Sequence, residues 1–469
     1  MTNLIKSLTE ITGTLDNFLY GNILFWILLA AGLFFTVQTR FVQIRMFPEG
    51  ISVLTEKSHE GGISSFQALM IATASRVGTG NIAGVATAIV TGGPGAVFWM
   101  WVTAVIGSAS AFVESTLAQI YKKKDGQSFK GGPAYYIEQA LGKRRLGMCF
   151  AGILVLTFAV GFNCLQAYNI ASSLERYAGE NTRLYAVITG LIVAFVCGAV
   201  FFGGPDKISA VSSVLVPIMA AVYIIIGISI TVYNRAYIPG IFRTIFREAF
   251  DFKAIAGGVA GSCMVTGIKR GLFSNEAGMG SAPNAAAAAD VSHPVKQGLV
   301  QVISVFIDTG IICTTTVFIV LCTGHMTKDK GLDAIPLVQA SVKTLFGEAG
   351  VAVLTVAVIL FAFTSLVGNY FYAEANIKFI TESPRVLKIF RGISVILIFA
   401  GANSSLQLAW NIADLTMAFM AFINIGAICL LSRTAQKALE NYTDQKRLGK
   451  NPVFYAEDIG ISNTECWKK

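Results

Sequence analysis

Residues 72–84 read ATASRVGTGNIAG and interrupt a long apolar segment of the chain. Gly78 and Gly80 flank a β-branched threonine here, and each glycine weakens a helix by about 1 kcal/mol relative to alanine. Arg76 and Asn81 place polar groups beside the same glycines. We therefore predict a helix that opens at this point. Close helix packing through the G-x-x-x-G step that begins at Gly80 is the alternative.

The composition of the whole chain indicates that its surroundings are lipid. Of the 469 residues, 54% are hydrophobic and 13% are charged, which is about half the charged fraction of an average soluble domain. Phenylalanine suits lipid contact, and glycine lets membrane helices approach closely. The chain has 33 phenylalanines and 46 glycines. We expect a lipid bilayer as a partner and no nucleic acid.

Apolar runs long enough to cross a hydrocarbon core, which takes about 20 residues, recur along the chain. They predict an all-α polytopic membrane protein with about eleven transmembrane helices. The first run is followed by no small-residue cleavage pattern, so we expect it to stay in the mature protein. The expected spans are residues 21–39, 64–91, 95–121, 146–172, 184–203, 208–234, 254–289, 296–323, 349–374, 386–402 and 408–432.

Lysine and arginine are unevenly distributed between the connecting segments. If the N-terminus lies outside, the segments on the cytoplasmic side hold most of the 36 basic residues, including the clusters at 122–124 and 143–145. Cytoplasmic loops carry such an excess of positive charge. We therefore expect a multi-pass protein of the cell (inner) membrane, with its N-terminus outside and its C-terminus cytoplasmic. The net charge of +9 follows mainly from this topology.

Glycines at residues 257–267 interrupt a second apolar segment, which Lys269, Arg270 and Glu276 follow. The two interrupted segments lie five helices apart, so they occupy matching places in two five-helix halves. Such pairs are the best sequence indication of a transporter substrate site built by an inverted repeat. The expected divisions are an N-terminal segment with an extra helix at 1–40, repeats at 64–234 and 254–432, and a cytoplasmic tail at 433–469.

Several charged residues fall inside or near the predicted spans, where an unpaired charge is costly. Arg76 and Glu276 lie beside the two interruptions and are candidates for a gating ion pair, with a permanent structural pair as the alternative. Glu114 and Asp414 lie toward the ends of their spans, so we expect them to be solvated. Asp308 has no partner that the sequence identifies.

The sequence offers little material for catalysis. Its three histidines are His59, His293 and His325, and its eight cysteines lie far apart without paired spacings. No zinc or disulfide framework follows from that pattern. The chain also lacks a His-Glu-x-x-His motif and a nucleophile elbow. We expect a protein that is not an enzyme.

Three motifs resemble those of the alanine or glycine:sodium symporter family. They are GGPGAVFWMWVTAVIG at 92–107, GTGNIAGVA at 78–86 and LFSNEAGMGS at 272–281. The resemblance extends from about residue 20 to residue 450. It implies a leucine-transporter-like fold, with one extra N-terminal helix before a five-plus-five inverted repeat that contains two broken helices. It also implies sodium-coupled import of alanine or glycine by alternating access.

The resemblance implies a sodium site at Ala74, Val77, Phe361, Thr364 and Ser365. Sodium prefers oxygen ligands, and an opened helix exposes carbonyls such as those of Ala74 and Val77. Phe361, Thr364 and Ser365 are spaced i, i+3 and i+4, which places them on one face of a helix. The alternative is that the two hydroxyls bond only to the backbone of their own helix.

The resemblance also implies a substrate site, at Thr79, Gly80, Gln166, Ile268, Leu272, Ser365 and Asn369. Freed amides at Thr79 and Gly80 can hold an α-carboxylate at the positive end of a half-helix. Gln166 would reach the substrate. Ile268 and Leu272 would bound the pocket for the substrate side chain, and ordinary apolar packing is their alternative.

Asn369 is a departure that affects the expected specificity. Some family members carry a tryptophan at this place, five residues after Thr364. The smaller amide leaves room and offers hydrogen bonds, so glutamine or another neutral polar amino acid is an alternative main substrate to alanine or glycine. A more distant alternative for the whole chain is an uncoupled channel or pore.

Overall fold

The computed structural model describes residues 2–56, 58, 62–126, 128–250, 263–324 and 331–468. Eight helices among these residues have the length and apolar composition needed to cross a membrane. Large apolar side chains cover the outside of the bundle, and Phe195 is 79% exposed. Such a surface suits lipid and would be costly in water. The predicted all-α membrane architecture is confirmed.

The N-terminal helix is longer than the predicted span at 21–39. It begins at Thr2 and reaches Gln38 through a single π-helical turn, and it packs along the last helix of the chain and along the helix Gly95–Ile120. The first elements are α1 (Thr2–Leu19), the π-helical turn (Tyr20–Leu24), α2 (Phe25–Gln38), α3 (Val42–Arg45) and α4 (Phe47–Leu54).

The predicted opening in the next span is confirmed. Ser64 caps its helix, because the Ser64 hydroxyl accepts from the Gln67 N–H and the Gln67 side chain accepts from the Ser64 N–H. Helical geometry ends at Arg76, and one short 3-10 turn precedes the next helix. The elements are α5 (Ser65–Arg76), the 3-10 turn (Thr79–Asn81) and α6 (Ala83–Gly92).

The rest of the first half contains four long spans and a small β-hairpin that the sequence did not predict. The π-helical stretch Leu156–Phe162 joins α9 to α10 in one span. The elements are α7 (Gly95–Ile120), β1 (Lys123–Asp125), β2 (Ser128–Lys130), α8 (Pro133–Leu141), α9 (Arg144–Val155), α10 (Asn163–Leu174), α11 (Thr182–Phe201) and α12 (Gly204–Tyr233).

The β-hairpin marks one end of the helix bundle, which we call the hairpin face. Its two strands are antiparallel, with Lys123 opposite Lys130. The opposite end, where α6 ends and the last helix begins, we call the far face. Residues 451–468 return to the hairpin face, where the Trp467 indole N–H donates to the Gln119 carbonyl at 2.7 Å.

The second half repeats the pattern of a broken helix followed by long spans. The π-helical stretch Phe306–Cys313 joins α16 to α17, and α18 kinks at Gly347. The last helix continues past residue 432 to Arg447. The elements are α13 (Ile238–Ala249), α14 (Cys263–Asn275), α15 (Pro283–Ala288), α16 (Pro294–Val305), α17 (Thr314–Leu321), α18 (Ala334–Ile380), α19 (Pro384–Ala402) and α20 (Leu406–Arg447).

Within the described part of the chain, the second interruption lies further along than the sequence indicated. Of the predicted stretch 257–267, residues up to 262 lie outside the described part, and residues 263–267 are helical. The chain instead leaves the helix at residues 276–282, where Gly278 and Gly280 have φ values of 81° and 87°. Glycine adopts such angles without steric cost. Gly267 serves packing, because a Cβ there would lie 2.2 Å from the Ala96 carbonyl.

Candidate functional site

The two interrupted helices pack against α7, the first of them also packs against α18, and its opened backbone is hydrogen-bonded to α10. The Ser365 hydroxyl of α18 donates to the Ala74 carbonyl near the end of α5 at 3.0 Å. The Thr364 hydroxyl donates to the Leu360 and Phe361 carbonyls of its own helix at 3.1 and 3.0 Å, and the Met219 sulfur of α12 lies 3.4 Å from it. Of the predicted sodium residues, the structure thus joins Ala74 to Ser365. Val77 is buried directly after α5.

The opened backbone of the first interruption is bound by α10. The Thr79 N–H and the Thr79 hydroxyl both donate to Gln166 Oε1, at 3.1 and 2.7 Å. Asn169, one turn further along α10, donates to the Thr79 hydroxyl oxygen at 2.7 Å. Asn169 is not among the site residues predicted from the sequence. Its i, i+3 spacing from Gln166 in an apolar helix was the available signal.

Two glycines let other helices approach this backbone closely. A Cβ on Gly78 would lie 2.2 Å from Ser365 Oγ and 2.7 Å from Gln166 Nε2. A Cβ on Gly80 would lie 2.3 Å from the Phe273 ring. Any larger residue would therefore push the interruption away from α10, α14 or α18. Close packing and an opened helix coexist here, so the two sequence interpretations are not exclusive.

The interruption is covered toward the far face by a stack of side chains, which we call the far-face cover: Phe273, Trp410, Arg270 and Asp414. The rings of Phe273 and Trp410 meet at 4.8 Å, and the Arg270 guanidinium lies 3.8 Å from the Trp410 ring centre. Arg270 Nη2 lies 2.6 Å from Asp414 Oδ2. Asp414 is 1% exposed. Its predicted solvation is wrong, because it neutralises a buried cation.

The predicted pair of Arg76 and Glu276 is not formed in this structure. Arg76 donates to Gln301 Oε1 at 3.1 Å. Glu276 accepts from the Ser281 hydroxyl at 2.6 Å and lies 3.1 Å from the Ser75 hydroxyl. No ion pair joins the two charged residues within 4.0 Å in the described part of the chain.

Glu114 is also not solvated, contrary to the sequence expectation. It is fully buried on α7 and accepts from the N–H groups of Gly278 and Gly280 at 3.2 and 3.1 Å. Asn424 of α20 donates to the same carboxylate at 2.6 Å. Buried amides that leave a helix need acceptors. Glu114 therefore satisfies the backbone of the second interruption.

Asp308 has partners that only the folded chain reveals. The Asn81 side-chain amide and the Ser274 hydroxyl both donate to its carboxylate. The Thr309 hydroxyl donates to Asp308 Oδ2 at 2.9 Å, and Thr316 donates to the Asn81 carbonyl at 2.7 Å. Asp308 thus links the first interruption to the end of α14. Asn81 is 227 residues away in sequence.

The remaining predicted substrate residues lie around the same region. Ile268 and Leu272 are buried on α14, before the second interruption and therefore on its far-face side. The Asn369 amide donates to Asn163 Oδ1 at 3.0 Å, and its oxygen lies 2.7 Å from the Ser75 hydroxyl. Both ends of the Asn369 amide are thus engaged by protein.

A cavity of about 650 Å³, lined by both polar and apolar residues, opens on the opposite side, toward the hairpin face. Gln67 of α5, Asn284 of α15 and Glu374 and Lys378 of α18 line it, together with the β-hairpin. The far-face cover thus lies on one side of the interruption, and the cavity lies on the other side, toward the hairpin face. Helices broken in mid-bundle, with different arrangements on their two sides, are typical of a membrane transporter.

The comparison with solved structures supports this fold. The fold is similar to that of a Na⁺-coupled sialic acid symporter in a substrate-bound outward-open state, with a TM-score of 0.50 and 13% identity over 90% of this chain and 87% of that chain. The leucine-transporter-like fold is confirmed. Residues 5–456 match the sodium:alanine symporter family, and the chain belongs to that family. It is a sodium-coupled amino-acid symporter and not an enzyme.

Two curated relatives illustrate the similarity. The chain is 47% identical to the amino-acid carrier protein AlsT of Bacillus subtilis (strain 168), over 95% of each chain. It is 44% identical to the probable sodium/glutamine symporter GlnT of the same organism, over 98% of this chain and 96% of the relative.

Proposed function

We propose that this protein imports alanine or glycine together with sodium across the cell (inner) membrane by alternating access. The observation that carries the proposal is the Ser365 hydroxyl on the Ala74 carbonyl, next to the opened backbone at Thr79. These groups offer oxygen atoms for a cation and backbone N–H groups for a carboxylate in adjacent positions. The basic hairpin face is then cytoplasmic, so the N-terminus lies outside.

The sodium ion would lie between the two repeats, 64–234 and 254–432. Carbonyl oxygens of Ala74 and Val77 would come from α5 and the residue after it, and Phe361, Thr364 and Ser365 would supply oxygens from α18. The Ser365 hydroxyl holds the Ala74 carbonyl directly in this structure. A cation coordinated by both of these oxygens would link α5 to α18.

The substrate carboxylate would take the place of the Gln166 oxygen. Both donors of Thr79 now point at Gln166 Oε1, and the Gly80 amide lies in the same short turn. Opened backbone at the end of a half-helix favours a negative charge. Ile268 and Leu272 would bound the substrate side chain.

Gln166→Glu is expected to abolish binding of alanine at neutral pH. The change keeps the size of the side chain but puts a fixed negative charge on the atom that the carboxylate must replace. Repulsion between like charges at such a distance costs several kcal/mol in a buried site, so we expect a loss of about 100-fold or more in affinity. Binding of labelled alanine to the purified protein measures this affinity.

Gln166→Leu is the matched control, because it has similar size and no charge. We expect it to bind alanine more weakly than the parent but more tightly than Gln166→Glu. Equal binding by Gln166→Glu and the parent would show that the carboxylate does not lie beside this atom.

Asn369 favours glutamine or another neutral polar amino acid as the alternative main substrate. Its buried amide oxygen accepts from the hydroxyl of Ser75, close to the interruption. The relative named a probable sodium/glutamine symporter also shares 44% identity with this chain. A buried polar partner discriminates substrates sharply, because the wrong substrate leaves it unpaired. Reading a substrate amide would require Asn369 to release Ser75 or Asn163.

Asn369→Ala is expected to weaken competition by glutamine more than competition by alanine. The measurement is the ratio of the two inhibition constants against labelled alanine uptake, in the parent and in the variant. A general loss of folded protein cancels in this ratio. An unchanged ratio would exclude Asn369 from the selective part of the pocket.

Arg76 and Glu276 stay candidates for a gate. The Nε and Nη2 atoms of Arg76 have no hydrogen-bond partner among the described residues. Glu276 accepts a hydrogen bond from the hydroxyl of Ser75, which is the neighbour of Arg76 in sequence. A different state of the transporter can therefore pair them.

Uptake into proteoliposomes tests the proposed function. The purified protein should accumulate labelled alanine above its outside concentration when a sodium gradient points inward, and the uptake should saturate. An uncoupled channel or pore would only equilibrate alanine across the membrane. Competition by glycine, alanine and glutamine in the same vesicles identifies the preferred substrate.

A further inference from the structure

The N-terminal helix places a buried carboxylate beside the far-face cover. Asp16 of α1 forms an ion pair with Lys269, and its side chain is 4% exposed. Lys269 Nζ also lies 2.8 Å from Asp414 Oδ2, the atom that Arg270 approaches to 2.6 Å. Two cations and two carboxylates, from three different helices, thus form one cluster of balanced charge.

Further contacts hold α1 against the part of α20 that carries the cover. The Asn411 amide donates to the Thr9 carbonyl at 3.0 Å, and the Tyr20 hydroxyl donates to the Asp414 carbonyl at 3.3 Å. Gly13 allows this approach, because a Cβ there would lie 3.2 Å from the Asn411 amide. The position of Asp16 relative to Asp414 is therefore set by packing as well as by charge.

Asp414 cannot balance the cluster alone. It is one carboxylate that faces both Lys269 and Arg270, whose side chains are 14% and 8% exposed. Without Asp16, one positive charge is left uncompensated in the closed cover, where an unpaired charge is strongly unfavourable. Separation of α14 from α20 would let water reach Lys269 and relieve this cost. Asp16 therefore stabilises the closed arrangement selectively.

We propose that Asp16 is a positioning residue for transport: by pairing with Lys269 it balances the second cation that Asp414 faces, and it thereby keeps the far-face cover closed. The N-terminal helix is then part of the gating apparatus and not only a peripheral helix. The inference rests on the proposed function, in which the far face is the side from which substrate enters.

Asp16→Asn is expected to lower turnover and to lower the apparent KM for alanine supplied on the far-face side. Steps that need a closed cover become slower, by about 100-fold or more for the loss of one partner of a buried ion pair. The apparent KM falls because a larger fraction of the molecules is already competent to bind from that side. Poor folding would reduce turnover with an unchanged KM, and damage to the site would raise KM.

Glu10→Gln is the matched control. It removes the same charge from the same helix at an exposed position, and it should leave both kinetic constants at the parental values. If Asp16→Asn behaves like Glu10→Gln, or loses turnover with an unchanged KM, the proposal is wrong.

A double variant tests the charge balance itself. Lys269→Met alone leaves one carboxylate in excess and should also impair turnover. Asp16→Asn combined with Lys269→Met leaves Arg270 and Asp414 as a balanced pair, so turnover should rise above that of either single variant. A double variant no better than the poorer single variant would overturn the proposal.

Fluorescence of Trp410 reports whether the far-face cover is open, and it does so independently of transport. Quenching by acrylamide should increase in Asp16→Asn and not in Glu10→Gln, with the Trp410 contribution obtained by subtracting a Trp410→Phe variant of each. Equal quenching in both would contradict the role of Asp16. If the parent protein shows no sodium-dependent uptake, the proposed function fails, while this quenching comparison still decides whether Asp16 holds the cover closed.

Discussion

Gly78→Leu is expected to abolish sodium-driven alanine uptake while the protein still inserts into the membrane. A Cβ at this position would lie 2.2 Å from Ser365 Oγ and 2.7 Å from Gln166 Nε2. The leucine side chain would thus fill the space shared by the proposed cation and carboxylate. Gly78 has an extended backbone, with φ −123° and ψ −160°, which any residue can adopt. The expected effect is therefore steric and does not depend on the flexibility of glycine.

Initial rates of labelled alanine uptake in proteoliposomes measure this effect. Gly152→Leu on α9 is the matched control, because a Cβ there meets no atom within 4 Å. It should transport at close to the parental rate. Gly78→Ala should give an intermediate loss, since the smaller side chain still overlaps Ser365. If Gly78→Leu took up alanine at the parental rate, the interruption would not be part of the transport site.

The double change of Thr364 and Ser365 to alanine is expected to abolish sodium-dependent uptake. The structure also predicts an order for the single variants. Ser365→Ala should be the more damaging, because the Ser365 hydroxyl donates to the Ala74 carbonyl of the interruption, whereas the Thr364 hydroxyl donates to carbonyls of its own helix and to the Met219 sulfur, a weak acceptor. Loss of a buried polar partner costs about 1–3 kcal/mol, which corresponds to roughly 10- to 100-fold in apparent sodium affinity.

The sodium concentration that gives half-maximal uptake is the quantity to measure. Thr416→Ala on α20 is a suitable control, because that hydroxyl also bonds to its own helix, at 2.8 Å from the Ile412 carbonyl. It should leave sodium dependence unchanged. Wild-type sodium dependence in the double variant would refute the proposed site, and a larger effect of Thr364→Ala than of Ser365→Ala would reverse the assignment of the principal side-chain ligand.

The features that the sequence predicted correctly are those that depend on local composition. The lipid environment, the positions of most helices and the opening after Arg76 follow from apolar run length and from glycine beside polar residues within a few positions. The family also followed from three continuous motifs. Such features need no knowledge of which helices become neighbours, so one sequence was sufficient for them.

The partners of the buried charges were decided only by the tertiary structure. Asp308 meets Asn81, Glu114 meets the amides of Gly278 and Gly280, and Asp414 meets Arg270. In lipid both faces of a helix are apolar, so hydrophobic periodicity does not reveal which face turns inward. Glycine likewise marks either a break or close packing, as the contrast between Gly278 and Gly267 shows. Each of these choices depends on a neighbouring helix that is distant in sequence, and only folding brings that neighbour into contact.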